Sequence, residues 1–158
     1  LKHIKSEYTP SLNYKISIDI QCNHTAHPAG KFYNIFDVTT VRNTGAAENR
    51  IFAIWQNNNR PGLHARFNKY DAQSAMIYLE CNDNEWNTYS LTQRIQNNDS
   101  LVKVTFYKDG VELASHEVAK SSANQLTNRQ MKVYLANPWA PATATNYNVR
   151  NFFIERLD

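Results

Sequence analysis

The sequence predicts an all-β fold: a two-sheet antiparallel β-sandwich, a jelly roll by its number of strands. Three observations carry that expectation. Apolar and polar residues alternate with period two in one segment after another, the pattern of strands with one buried face. Nine Tyr, seven Phe and three Trp suit strands better than long helices. Clusters of Asn, Asp, Gly and Pro interrupt the alternation at short intervals, and no helix-period segment lies between them. An up-and-down barrel is the alternative architecture for the same strands.

Residues 12–22, LNYKISIDIQC, put Tyr14, Ile16, Ile18 and Ile20 on one parity and Lys15, Ser17, Asp19 and Gln21 on the other. NHTAHPAG follows as a loop. KFYNIFDVTTV is a strand of less clean assignment, because Asn34, Phe36, Val38 and Thr40 oppose an equally mixed Tyr33, Ile35, Asp37 and Thr39. After the loop RNTGAAEN, the apolar RIFAIWQ (50–56) reads as a strand, and NNNRPG ends it with a Pro-Gly turn. LHARF (63–67) alternates, as does SAMIYLEC, with Ala75, Ile77, Leu79 and Cys81 in phase. WNTYSLTQRI becomes a strand after the polar NDNE. LVKVTFYKDGVELASHEV is the strongest hairpin, since Asp109-Gly110 fits a two-residue type I′ turn between alternating arms. The polar AKSSANQLTNRQ leads to MKVYLAN (131–137), and YNVRNFFIERL (147–157) is the final strand. No repeat, linker or low-complexity tract divides the chain, so residues 1–158 are expected to form a single domain.

At 158 residues, 42% hydrophobic and 20% charged, the chain has enough apolar surface for a substantial core. The net charge of +3 is mild, and Lys and Arg are evenly spread, which argues against nucleic-acid binding. No apolar run approaches the roughly 18 residues of a membrane helix. The sequence opens on Leu1, so a processed or excised chain is expected. Cys22 and Cys81 fit either one disulfide or two thiols. Asn23-His24-Thr25 and Asn98-Asp99-Ser100 are glycosylation sequons, and with the even cysteine count they point to a secreted or extracellular protein.

Several segments in order resemble the laminin-G-like and concanavalin A-like jelly-roll domains. They are Arg50 to Trp55, Leu63-His64, Trp86, Lys108 to Glu112, Lys132 to Trp139 and Val149 to Ile154. The resemblance covers residues 12–156 as a pattern of strands and packing positions. It implies a binding module, because relatives take sugars, glycosaminoglycans or extracellular proteins, several of them through Ca²⁺. The calcium pattern is not reproduced: Asp37, Glu48, Asp71, Asp83, Asp99 and Asp109 are scattered. No cofactor is therefore expected, with Ca²⁺ the one ion the resemblance leaves open.

Four places could carry recognition, and each has a structural reading beside it. Trp139 in ANPWAPATATN could stack on a sugar or anchor a partner, or plug the end of the core between Pro138 and Pro141. Asn57, Asn58 and Arg60 in QNNNRPG offer donors and acceptors for hydroxyls or an anion, or form a solvated turn. His64 and Arg66 share the polar parity of LHARF and, on an outer sheet face, would project together beside Asn68. Cys22, His24 and His27 lack the spacing and fourth ligand of a zinc site. Pairing of Cys22 with Cys81 is the better reading, and closing a loop of roughly 60 residues would contribute about 4 kcal/mol.

Enzyme readings find little support. A glycosidase needs two carboxylates across a cleft, and Asp19 alone or Glu80 with Asp83 does not supply them. Ser115, His116 and Glu117 are consecutive in a strand and cannot converge as a triad. P-loop, dinucleotide and G-x-S-x-G motifs are absent. The sequence thus predicts a non-catalytic extracellular module, lectin-like toward a glycan through Asn57, Asn58, Arg60, His64, Arg66 and Trp139. The alternative is a protein-interaction or adhesion domain of a larger protein.

Overall fold

The structure is a computed structural model, and it describes residues 3–5, 12–22, 33–39, 50–56, 63–67, 77–80, 82–96, 99–120, 132–135 and 147–157. Among the described residues there are eleven strands: β1 (His3–Lys5), β2 (Tyr14–Gln21), β3 (Tyr33–Thr39), β4 (Arg50–Gln56), β5 (Leu63–Phe67), β6 (Ile77–Leu79), β7 (Trp86–Ile95), β8 (Leu101–Lys108), β9 (Val111–Ala119), β10 (Lys132–Leu135) and β11 (Asn148–Arg156). They form a six-stranded sheet, β1-β10-β3-β4-β5-β6, and a five-stranded sheet, β11-β2-β7-β8-β9. Every pairing is antiparallel. No helix occurs among the described residues. The expected all-β sandwich is what the chain adopts. The short β1 is a strand that its sequence did not announce.

Alternation explains β2 directly. Tyr14, Ile16, Ile18 and Ile20 are fully buried and face the other sheet. The mixed reading of β3 also has a physical cause. All seven of its residues are buried, so neither face carries a solvent signature. Its register against β4 slips between Asn34 and Phe36, and the extra residue shifts the parity mid-strand. The β8–β9 hairpin closes as its sequence requires. Lys108 pairs with Val111, and Asp109 and Gly110 have φ of 51° and 79°. Both central residues of a type I′ turn need this left-handed region, which glycine enters at no steric cost.

The core lies between the sheets and is tied by aromatic contacts across them. Phe36 on β3 meets Phe152 on β11 at 5.5 Å, and Phe52 on β4 meets Phe106 on β8 at 5.8 Å. Phe36 and Phe52 pack edge to face at 5.6 Å within their own sheet. Such pairs add about 0.5–1.5 kcal/mol each beyond the area they bury. The buried Gln93 amide is satisfied: it accepts from the Tyr14 hydroxyl at 3.0 Å and donates to the Leu12 carbonyl at 3.1 Å.

Candidate functional site

Each sheet has an outer face, and the two differ. On the six-stranded sheet, cross-strand pairing aligns Trp55, His64 and Tyr78, and beside them Asp37, Ala53 and Arg66. His64 does take the parity opposite Leu63 and Ala65. It is nevertheless fully buried, its ring stacked parallel to Trp55 at 6.3 Å and edge-on to Tyr78 at the same distance. The expected open His64–Arg66 patch is thus corrected. Alternation gives the side of the sheet that a residue occupies, and this side is covered at His64. Arg66 is half-buried, and Asp37 is buried on the same face. Asn57, Asn58, Arg60, Asn68, Trp139, Asn23, Asn98 and Cys81 lie outside the described residues. Cys22 is fully buried at the end of β2, and no cysteine among the described residues is a free thiol.

The outer face of the five-stranded sheet is built differently. Cross-strand register places side chains in rows, because directly opposed residues share a face. Arg150, Asp19 and Thr88 form one row. The next holds Phe153, Ser17, Ser90, Tyr107 and Glu112, and the one after it holds Glu155, Lys15, Thr92, Thr105 and Ser115. Trp86 stands at one end of β7 and Arg94 near the other. Ser17, Ser90 and Thr105 are buried, whereas Phe153 is 42% exposed. The centre of this face is therefore a recessed floor of hydroxyls between aromatic side chains on β11 and β8.

Asp19 organises one end. Its carboxylate accepts from the Thr88 hydroxyl at 2.7 Å, from the Asn151 amide at 2.8 Å and from Arg150 Nε at 3.4 Å. Burial alone would raise its pKa. The donors from Thr88, Asn151 and Arg150, with the Arg150 charge, outweigh that and hold it below the usual carboxylate value. The Arg150 guanidinium lies 4.0 Å from the Trp86 ring centroid, a close cation–π contact. Lys15 Nζ lies 5.6 Å from the centroid of Phe153. A bulge in β11 makes this possible, since the register shifts between Arg150 and Phe153 with Asn151 at φ 50°. Asn151 thereby reaches back to Asp19. At the neighbouring corner the Asp109 carboxylate accepts from Thr88 N at 2.7 Å and from the Asn87 amide at 3.0 Å, fixing the hairpin turn to the start of β7.

The arrangement is suited to binding. Ser115 and Glu117 face outward with Thr105 and Lys103, while His116 is opposite the inward Val104, so these neighbours point to different faces. Burial lowers the His116 pKa. Burial, then the Asp109 charge, raises the Tyr89 pKa, and Tyr147 is raised by burial, then by Asp83 and Tyr89. No group of three or more His, Cys, Asp or Glu side chains gathers into a metal site among the described residues. No helix among them is long and apolar enough to cross a membrane. Sequence reasoning passed over Asp19, Trp86, Arg150, Asn151 and Phe153 as a site. Their signal was the polar parity of β2 with a tryptophan on a partner strand.

No protein-family model and no curated protein matches this chain. Solved structures do. The binding domain of botulinum neurotoxin serotype D/C from VPI 5993 superposes with a TM-score of 0.51 at 19% identity, over 92% of this chain and 34% of that one. A native heptameric SAP-like pentraxin from Limulus polyphemus gives 0.49 at 13% identity, over 99% and 71%. The CBM40 of a Ruminococcus gnavus IT-sialidase gives 0.37 at 13%, over 83% and 78%. The chain spans about a third of the toxin binding domain's length. At this identity the likeness is one of fold: a jelly-roll-like β-sandwich.

Proposed function

We propose that this chain is a non-catalytic carbohydrate-recognition module of a secreted or surface protein, and that it binds through the outer face of its five-stranded sheet. The carrying observation is the pairing of ordered aromatic rings with a fixed polar network: Trp86 under Arg150, Phe153 beside Lys15, and Asp19 holding Thr88, Asn151 and Arg150. Sugars present apolar C–H faces to rings and hydroxyls to such networks, and a preorganised site loses little entropy on binding. Arg66 belongs to the outer face of the other sheet and takes no part in this site. Recognition through Asn57, Asn58, Arg60 and Trp139 is a separate proposal, tested by alanine variants of each. A Cys22–Cys81 bridge and glycosylation at Asn23 and Asn98 belong to the same extracellular setting, and intact-mass analysis before and after reduction tests them.

A glycan array on the wild type, Trp86→Ala and Arg150→Ala tests the proposal. Selective binding lost in both variants supports it. Absence of any glycan signal overturns it. Loss on Arg60→Ala with Trp86→Ala unaffected moves the site to the loops.

A second reading has its own observation. Among the described residues β9 is an edge strand, and Val111 and Leu113 on it are 63% and 44% exposed. An open edge with apolar side chains suits strand addition by a protein partner. Leu113→Lys would abolish that mode and leave glycan binding intact.

A further inference from the structure

Resting on the carbohydrate reading, we infer that the ligand is an uncharged glycan chain, laid along the strands over the Ser17–Ser90–Thr105 floor and contacting several sugar units at once. Three features of the face carry this. Ser17 and Ser90 are directly opposed on β2 and β7, Thr105 on β8 lies one row along opposite Thr92, and these small side chains are recessed below the exposed Phe153 and the half-buried Tyr107. The bounding side chains, Phe153 on β11 and Tyr107 on β8, are three strand spacings apart, about 14 Å backbone to backbone. From Trp86 to Arg94 the face runs eight residue steps along β7, about 26 Å, which is far longer than one sugar ring. A site for a single terminal sugar would be closed at its ends. Among the described residues, the large side chains flanking this floor, Phe153 and Tyr107, stand at its sides.

The charges decide the class of chain. Arg150 pairs with Asp19, Lys15 lies opposite Glu155, and Lys103 lies opposite Glu117. Arg94 lies opposite Lys103, and Glu112 stands on β9, two strands from Arg94 on the same face. Among the described residues the face carries four cations (Arg150, Lys15, Lys103 and Arg94) against four carboxylates (Asp19, Glu155, Glu117 and Glu112), so it has no net positive charge to draw a sulfated or carboxylated polymer. Paired charges serve a neutral ligand well, as they present oriented donors and acceptors to hydroxyls.

The test uses immobilised neutral polysaccharides (mannan, xylan, β-glucan, galactan) beside heparin and hyaluronan, at low and high salt. The hydrolytic ladder of any polymer that binds is then titrated in solution. The expected result is binding to a neutral polymer, indifferent to salt, with affinity rising along the ladder and then levelling. Ser90→Trp, which fills the floor, and Phe153→Ala, which lowers one side, should each weaken polymer binding about tenfold or more. Both are checked for folding by denaturation, and Thr92→Trp repeats the block at a half-buried site if Ser90→Trp is destabilised. Full affinity for a mono- or disaccharide overturns the extended-chain inference while leaving a carbohydrate site. Binding confined to heparin or hyaluronan and lost at high salt overturns the uncharged class. Binding to no polymer and no array glycan overturns the carbohydrate reading itself.

Discussion

Asp19→Asn should expose how much of the proposed recognition face depends on one carboxylate. The substitution keeps the shape and removes the charge and one acceptor oxygen. In the wild type that carboxylate receives donors from Thr88, Asn151 and Arg150, and its side chain is 12% exposed. Hydrogen bonds to a charged group are worth about 1.5–3 kcal/mol. The Arg150 contact contributes least, being long and borne by a side chain that is 53% exposed. The expected loss at neutral pH is therefore about 2–3 kcal/mol, or roughly 4–12 °C in Tm for a chain of this length. The pH dependence is diagnostic. A carboxyl whose folded pKa is depressed stabilises the fold fully above its unfolded value of about 3.9, and the contribution is lost as pH falls through the folded pKa. Urea denaturation of wild type and variant from neutral pH downward should show the gap constant at first and then closing below about pH 4. A gap absent at neutral pH, or unchanged to the lowest pH at which both fold, would refute the assignment of Asp19 as an ionised hub.

Other perturbations follow from the same structure. Phe52→Ala, which removes a fully buried ring touching Phe36 and Phe106, should cost about 3–5 kcal/mol in equilibrium unfolding. Gly110→Ala should cost about 1–2 kcal/mol although nothing lies within 4 Å of the added methyl group, because φ there is +79°. His64→Ala should lower stability by about 1–3 kcal/mol in the same assay, while glycan affinity stays within twofold if the recognition face is on the opposite sheet.

Local information was legible in the sequence, and pairing was not. The Asp109-Gly110 turn and the run of isoleucines in β2 each carry their signal within a few residues, and both were read correctly. β3 resisted because burial on both faces and a register slip erase alternation. His64 shows the limit from the other side: its parity was right, yet parity is blind to what covers a face. The Asp19 site lay further out of reach. Asp19 finds Thr88 at a separation of 69 residues, and Arg150 and Asn151 at 131 and 132. A lone aspartate on a polar parity becomes a hub only when sheet order is known, and no sequence window spans that distance.

The pairing of β2 with β11 also has a consequence for how the molecule matures. Bringing these strands together closes a loop of well over a hundred residues, and the entropy of that closure must be overcome before the contact returns any energy. The β8–β9 hairpin and its neighbour β7 can assemble from segments close in the chain, so β11 is expected to dock late. Arg150, Asn151 and Phe153 arrive only with that strand. A partly folded molecule can therefore hold much of its core, short of Phe152, and still lack the proposed binding face, so under that reading ligand retention reports the docking of the last strand.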